Sequence, residues 1–184
     1  MNIIQLQIKI LQLKLLLAKL AFHLPMTKIE QLYTAAAAKL GTDVSPRDLA
    51  PDSLACAESI NILWKSITGE YIAPANILST IELYKQLNLH WKKVNAPTPG
   101  AIIISPTESA TKIGHAGICG LGDTIMANDS RSGLWLETYT QASWRLYFEK
   151  RLGLKVALFV KDKNMKTSDL IFGNIGNSTA PAGS

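Results

Sequence analysis

The chain has 184 residues, 47% of them hydrophobic and 18% charged, with 12 Gly, 8 Pro and two Cys. That length suits one ordinary globular domain, and the apolar content excludes a wholly disordered, collagenous or acidic-tail protein. Two Cys exclude a disulfide scaffold and, with only three His (His23, His90 and His115), leave too few ligands for a Cys-rich zinc module.

A formal net charge of +5 and a pI near 9.2 raise the question of a polyanionic partner. Residues 1–28 hold Lys9, Lys14, Lys19 and Lys28 with no acid, whereas residues 29–184 are nearly neutral at +1. The basicity therefore belongs to an N-terminal arm, and a nucleic-acid partner is not expected.

Residues 3–24 form the most apolar stretch, long enough as a helix to cross a bilayer, but seven of those 22 residues are polar. Placing Lys9 and Lys14 near mid-bilayer costs about 2.5–3.5 kcal/mol each, which largely offsets the aliphatic gain. At helical periodicity Asn2, Gln5, Lys9, Gln12, Lys19 and His23 share one stripe, so residues 1–25 read as an amphipathic helix with a wide apolar face. Three placements stay open: packing on the domain or on other copies, lying on a membrane surface with Lys toward anionic lipid, or a weak transmembrane anchor. A cleaved signal peptide is not expected, because no small-residue cleavage box precedes Pro25.

After Pro25 a helix is expected over 28–40, stopped by Gly41, then a loop rich in Pro, Asp and Ser. Asp52 or Ser53 can cap a helix that Gly69 ends, with Leu54, Ile60, Leu63, Trp64 and Ile67 on its apolar face. A further helix over about 79–87 follows. From Trp91 the period changes to short β-rich runs at 101–105, 115–119, 124–127, 134–138 and 155–160, with a helix over 141–151 between the last two. Helices first and an antiparallel meander afterwards define an α+β domain over 28–161, followed by a flexible tail over 162–184.

Cys56 stands at the start of the helix that Gly69 ends, in LACAES. A helix N-terminus offers unpaired N–H groups and partial positive charge, so the thiol is expected to titrate below a free one and its N–H to face a developing oxyanion. His115 opens a strand in IGHAGICG, and imidazole beside thiol is the minimum pair for cysteine acyl transfer. A hairpin turning at 120–123 brings Asn128 or Asp129 to the imidazole, and Asn128 is the residue expected to orient it. Cys119, mid-strand between Ile118 and Gly120, reads as a small hydrophobe. Glu58 is either a contact for substrate ammonium groups or a first-turn acid meeting the helix dipole. The four indoles, Trp64, Trp91, Trp135 and Trp144, suit core packing, with Trp135 a candidate groove residue for glycan stacking.

The segments DLAPDSLACAES, PTPGAIIISP, GHAGICG and IMANDS resemble the papain-like cell-wall peptidases of bacteria and phages, of the CHAP or NlpC type, over about 70% of the chain. The resemblance implies a papain-like fold with Cys56 as nucleophile, His115 as base and Asn128 as the third polar residue. It further implies cleavage of peptidoglycan amide bonds, by an endopeptidase or an N-acetylmuramoyl-L-alanine amidase, with no metal or cofactor. The bacterial cell wall is then the place of action, including phage-encoded use in lysis or entry. Ala55-Cys56-Ala57-Glu58 matches neither subgroup's usual nucleophile run, so subgroup and side-chain oxyanion donor stay open. The competing expectation is a catalytically silent, virion- or membrane-associated structural or binding protein on a papain-like body.

Overall fold

The computed structural model describes residues 26–45, 55–74 and 79–161. The expected arm over 1–25 and tail over 162–184 lie outside the described residues. Helix α1, Lys28–Ala37, begins at a capping box: Thr27 Oγ1 accepts from the Glu30 N–H, and the Glu30 carboxylate accepts from the Thr27 N–H at 2.7 Å. It stops at Ala37, short of the expected Leu40. Gly41 lies beyond the cap with φ +80°, and its N–H donates to the Trp135 carbonyl at 2.9 Å.

Helix α2, Cys56–Thr68, carries the buried run Cys56, Ala57, Glu58, Ser59, Ile60, Asn61, Leu63 and Trp64. Gly69, in the left-handed region with φ 82°, ends it as expected. The expected cap differs: the N-cap is Ala55, which makes no side-chain bond, because α2 starts three residues beyond Ser53. Buried Asn61 fixes the chain that follows, accepting from the Ile72 and Ala73 N–H groups and donating to the Ala73 carbonyl. Helix α3, Thr80–His90, is capped by Ser79 and runs three residues past expectation.

Among the described residues six strands form one sheet: β1 Lys92–Val94, β2 Ile102–Ser105, β3 His115–Cys119, β4 Thr124–Asn128, β5 Trp135–Thr140 and β6 Ala157–Val160. Their order is β1-β6-β2-β3-β4-β5, with every neighbouring pair antiparallel. The α+β class and the helices-then-sheet order match the sequence reading. Strand β1 was not expected; its two exposed lysines hide the pairing that covers the β6 edge.

The central strands β2, β3 and β4 are buried on both faces, and their alternating side chains divide between two cores. Ile102, Ile104, Ala116, Ile118 and Met126 meet Leu32 of α1, Ile60 and Leu63 of α2, and Leu83 and Leu87 of α3. On the other face Ala101, Ile103, Cys119, Ile125 and Ala127 meet Trp144, Phe148 and Leu154. Trp144 ends the short helix α4, Gln141–Trp144, which continues as a π-helical segment, Arg145–Arg151. The Leu152 N–H donates five residues back to the Tyr147 carbonyl at 3.1 Å, a wider register than an α-helix allows.

Candidate active site

Cys56 is the first residue of α2 and is 4% exposed. Burial pushes its thiol pKa up to about 11, against the opposing pull of the nearby backbone N–H groups of Ala116, Ala57 and Cys56 itself. The expected depression below a free thiol is thus reversed. Desolvation of the thiolate outweighs three N–H donors and the helix N-terminus together.

The Ala116 backbone brings the start of β3 to the thiol, since Ala116 directly follows His115. His115 is 9% exposed and pairs across the sheet with Ser105 of β2. Burial lowers its pKa to about 4, against the raising pull of the Asn128 backbone carbonyl and the Asp129 charge. Strand alternation sends Ala116 toward α2 and His115 toward the α4 face. There the imidazole lies nearly parallel to Trp144, with centroids 5.5 Å apart, and meets Phe148 at 5.9 Å and the edge of Tyr139 at 5.8 Å. Among the described residues no hydrogen bond joins the thiol to the imidazole.

Asn128 ends β4 and is 1% exposed. Alternation with Met126 places its side chain on the α2 face, away from the aromatic rings around His115. The main-chain carbonyl of Asn128 approaches the imidazole, where the expectation had its side chain orient the ring. Asp129 acts through charge alone. Its Oδ1 accepts from the Ser132 N–H and Oγ, both at 2.9 Å, and from the Arg131 N–H at 3.1 Å, and these bonds hold its pKa below the ordinary carboxylate value.

The two expected substrate contacts are not on the surface. Trp135 is 0% exposed, a core residue of the α2 face, and its backbone pins the chain after α1 through Trp135 N–H to Thr42 carbonyl at 2.9 Å. Glu58 is 4% exposed in the first turn of α2. All four indoles are core residues, and Cys119 is buried with its pKa pushed up to about 12, as a packed hydrophobe should be.

Sequence reasoning missed Ser105, Tyr139, Trp144 and Phe148. Trp144 and Phe148 stand four apart on one helical face, which announces packing; nothing in that spacing says that the packed partner is His115. Among the described residues no cluster of three or more His, Cys, Asp or Glu side chains could hold a metal, and no helix is long and apolar enough to cross a membrane. Compared with known proteins, the chain matches no family model and finds no significant match among curated sequences.

Proposed function

We propose that this chain is a papain-like cysteine hydrolase of peptidoglycan amide bonds, with Cys56 as nucleophile and His115 as general base. The observation that carries the reading is the placement of the Cys56 thiol, at the first residue of α2, near the backbone N–H of Ala116, the residue beside His115. In the reaction the imidazole takes the thiol proton as sulfur attacks the amide carbon. It then gives that proton to the leaving amine, and water hydrolyses the remaining thioester. The Cys56 N–H, at the start of α2, is the donor available to the developing oxyanion. With the thiol near 11 and the imidazole near 4, the resting pair is neutral, so proton transfer accompanies attack instead of preceding it. The reading requires the imidazole to swing from the α4 face to the thiol when substrate binds, making a bond that the substrate complex would have to form.

Fragment analysis of purified peptidoglycan tests the reading. Wild type and Cys119→Ala should release the same peptide fragments, and Cys56→Ala should lower the rate by at least about a thousandfold. Equal digestion by the Cys56 variant would remove it from the mechanism.

The burial of Cys56 favours a second reading, a catalytically silent binding or structural protein on the same body. Alkylation by iodoacetamide, mapped residue by residue, separates the two. A hydrolase should label at Cys56 well ahead of Cys119 near neutral pH, because its site must open for substrate; equal, slow labelling of both favours the silent protein.

A further inference from the structure

The His115 imidazole is held by an aromatic cassette. Trp144 lies 18° from the imidazole plane and Phe148 25°, while Tyr139 approaches at 65°. The three rings also lock one another, with Trp144–Phe148 centroids at 4.6 Å, Tyr139–Trp144 at 5.2 Å and Tyr139–Phe148 at 5.8 Å. In so close a set no ring turns without displacing the next. One polar bond sets its orientation: Trp144 Nε1–H donates to Ser105 Oγ at 3.0 Å, with both residues 0% exposed. Ser105 is also the residue that faces His115 across the β2–β3 pairing. Backbone pairing, indole hydrogen bond and ring stack therefore close a loop through Ser105, Trp144 and His115.

We propose that Ser105 and Trp144 are positioning residues for His115: the hydroxyl holds the indole, and the indole holds the imidazole at the start of β3. This task otherwise falls to a polar side chain next to the base, and it rests on the Cys56–His115 reading above. The π-helical segment after Trp144 suits the role, because such irregular turns concentrate at functional sites and here one carries Phe148 into the same stack.

Among the described residues two titratable groups approach His115: Asp129 beyond β4 through its charge and Tyr139 of β5 through its ring edge; Tyr147 packs on Phe148 instead, and Cys56 stands on the α2 side of the sheet. Strand β2 contributes the uncharged Ser105. Asp129 is the one ionised at neutral pH, and its carboxylate is engaged by Arg131 and Ser132. The dry aromatic wall therefore dominates, and loosening it should move the imidazole back toward its ordinary value of 6.5.

The test uses the full chain with Ser105→Ala, Trp144→Phe and the conservative Ser105→Thr. One readout is the His115 titration followed by NMR, which needs no activity; the other is kcat and KM on a soluble muropeptide across pH. Ser105→Ala and Trp144→Phe should each raise the titration midpoint by about one unit and lower kcat by about tenfold to a hundredfold with KM within about twofold. Ser105→Thr should keep both near wild type. Should Ser105→Ala fold poorly around its orphaned indole N–H, the double variant Ser105→Ala/Trp144→Phe removes donor and acceptor together. A folded single or double variant with the wild-type midpoint and kcat overturns the proposal. An inactive wild type would end the hydrolase reading instead; the titration would still decide whether Ser105 and Trp144 hold the ring.

Discussion

At neutral pH Cys56 and His115 rest as an uncharged pair, one holding its proton and the other without one, because burial acts on both in the direction that removes charge. The consequence for stability follows from linkage. An unfolded His115 titrates near 6.5 and the folded one near 4, so between those values the unfolded chain binds more protons. Stability contributed by the neutral ring is thus present above pH 6.5 and lost as pH falls toward 4, by about 3 kcal/mol across that window. Urea denaturation at pH 7 and pH 4.5 should show the loss, and His115→Gln should flatten it; an unchanged slope in that variant would assign the acid sensitivity elsewhere. For Cys56 the sign is opposite: its folded pKa of about 11 exceeds the thiol's ordinary 9.0, so the corresponding loss comes as pH rises from 9 toward 11. Neither shift was legible in the sequence. The helix start that promises a low thiol pKa could be read from LACAES, but the depth at which the fold buries that start could not.

The elements that deliver these two side chains depend on backbone approaches as close as those in the core. Gly114, just before β3, lies so near β2 that an added Cβ would meet the Ser105 carbonyl oxygen and stand 2.6 Å from Pro106 C and Thr107 N. These are main-chain atoms without freedom to yield. A hydrogen-bonded chain fixes the approach: Gly114 N–H donates to Thr107 Oγ1 at 2.8 Å, and Thr107 N–H to Thr80 Oγ1 at 3.0 Å. Gly114→Ala should therefore lift the start of β3, shift His115 and cost about 1–3 kcal/mol in a denaturation curve, together with most activity. Gly122→Ala is the control. It sits at φ +64° in open space, so it should cost about 1 kcal/mol of backbone strain and leave the site intact. Equal effects of the two would show that crowding at Gly114 is relieved elsewhere. Strands β2, β3 and β4 were legible because each is a short apolar run bounded by Gly, Pro or Asp. Strand β1 was not, since Lys92 and Lys93 advertise a solvated turn and only the free edge of β6 recruits them. The 141–151 helix was legible as an element, whereas its change to a π turn comes from tertiary packing. The same limit hid the orientation of Asn128: IMANDS puts it beside His115 in sequence register, but strand parity, visible only once the two cores are known, aims its side chain at α2.

At the scale of the whole molecule, charge is unevenly distributed along the chain. Residues 1–28 carry +4 of the net +5, and the body from 29 onward is nearly neutral. Helix α1 carries its own N-terminal cap: Thr27 and Glu30 satisfy each other's backbone N–H groups, and Leu32 and Ala36 bury its face against the α2 side of the sheet. Deleting residues 1–25 should then leave the denaturation midpoint, and any activity of the proposed Cys56–His115 site, close to those of the full chain. What should vanish is attraction to anionic surfaces, measured as co-sedimentation with vesicles containing anionic lipid or with wall polymer at low salt. Added salt should weaken binding of the full chain, because Lys9, Lys14 and Lys19 are the cations removed and screening acts over about 10 Å at 0.1 M. Neutral vesicles distinguish the forces at work: binding that persists without anionic lipid and resists salt belongs to the apolar face of residues 3–24, not to its lysines. A folded truncation that loses catalysis would show instead that the arm completes the active domain, and the division at residue 25 would be wrong.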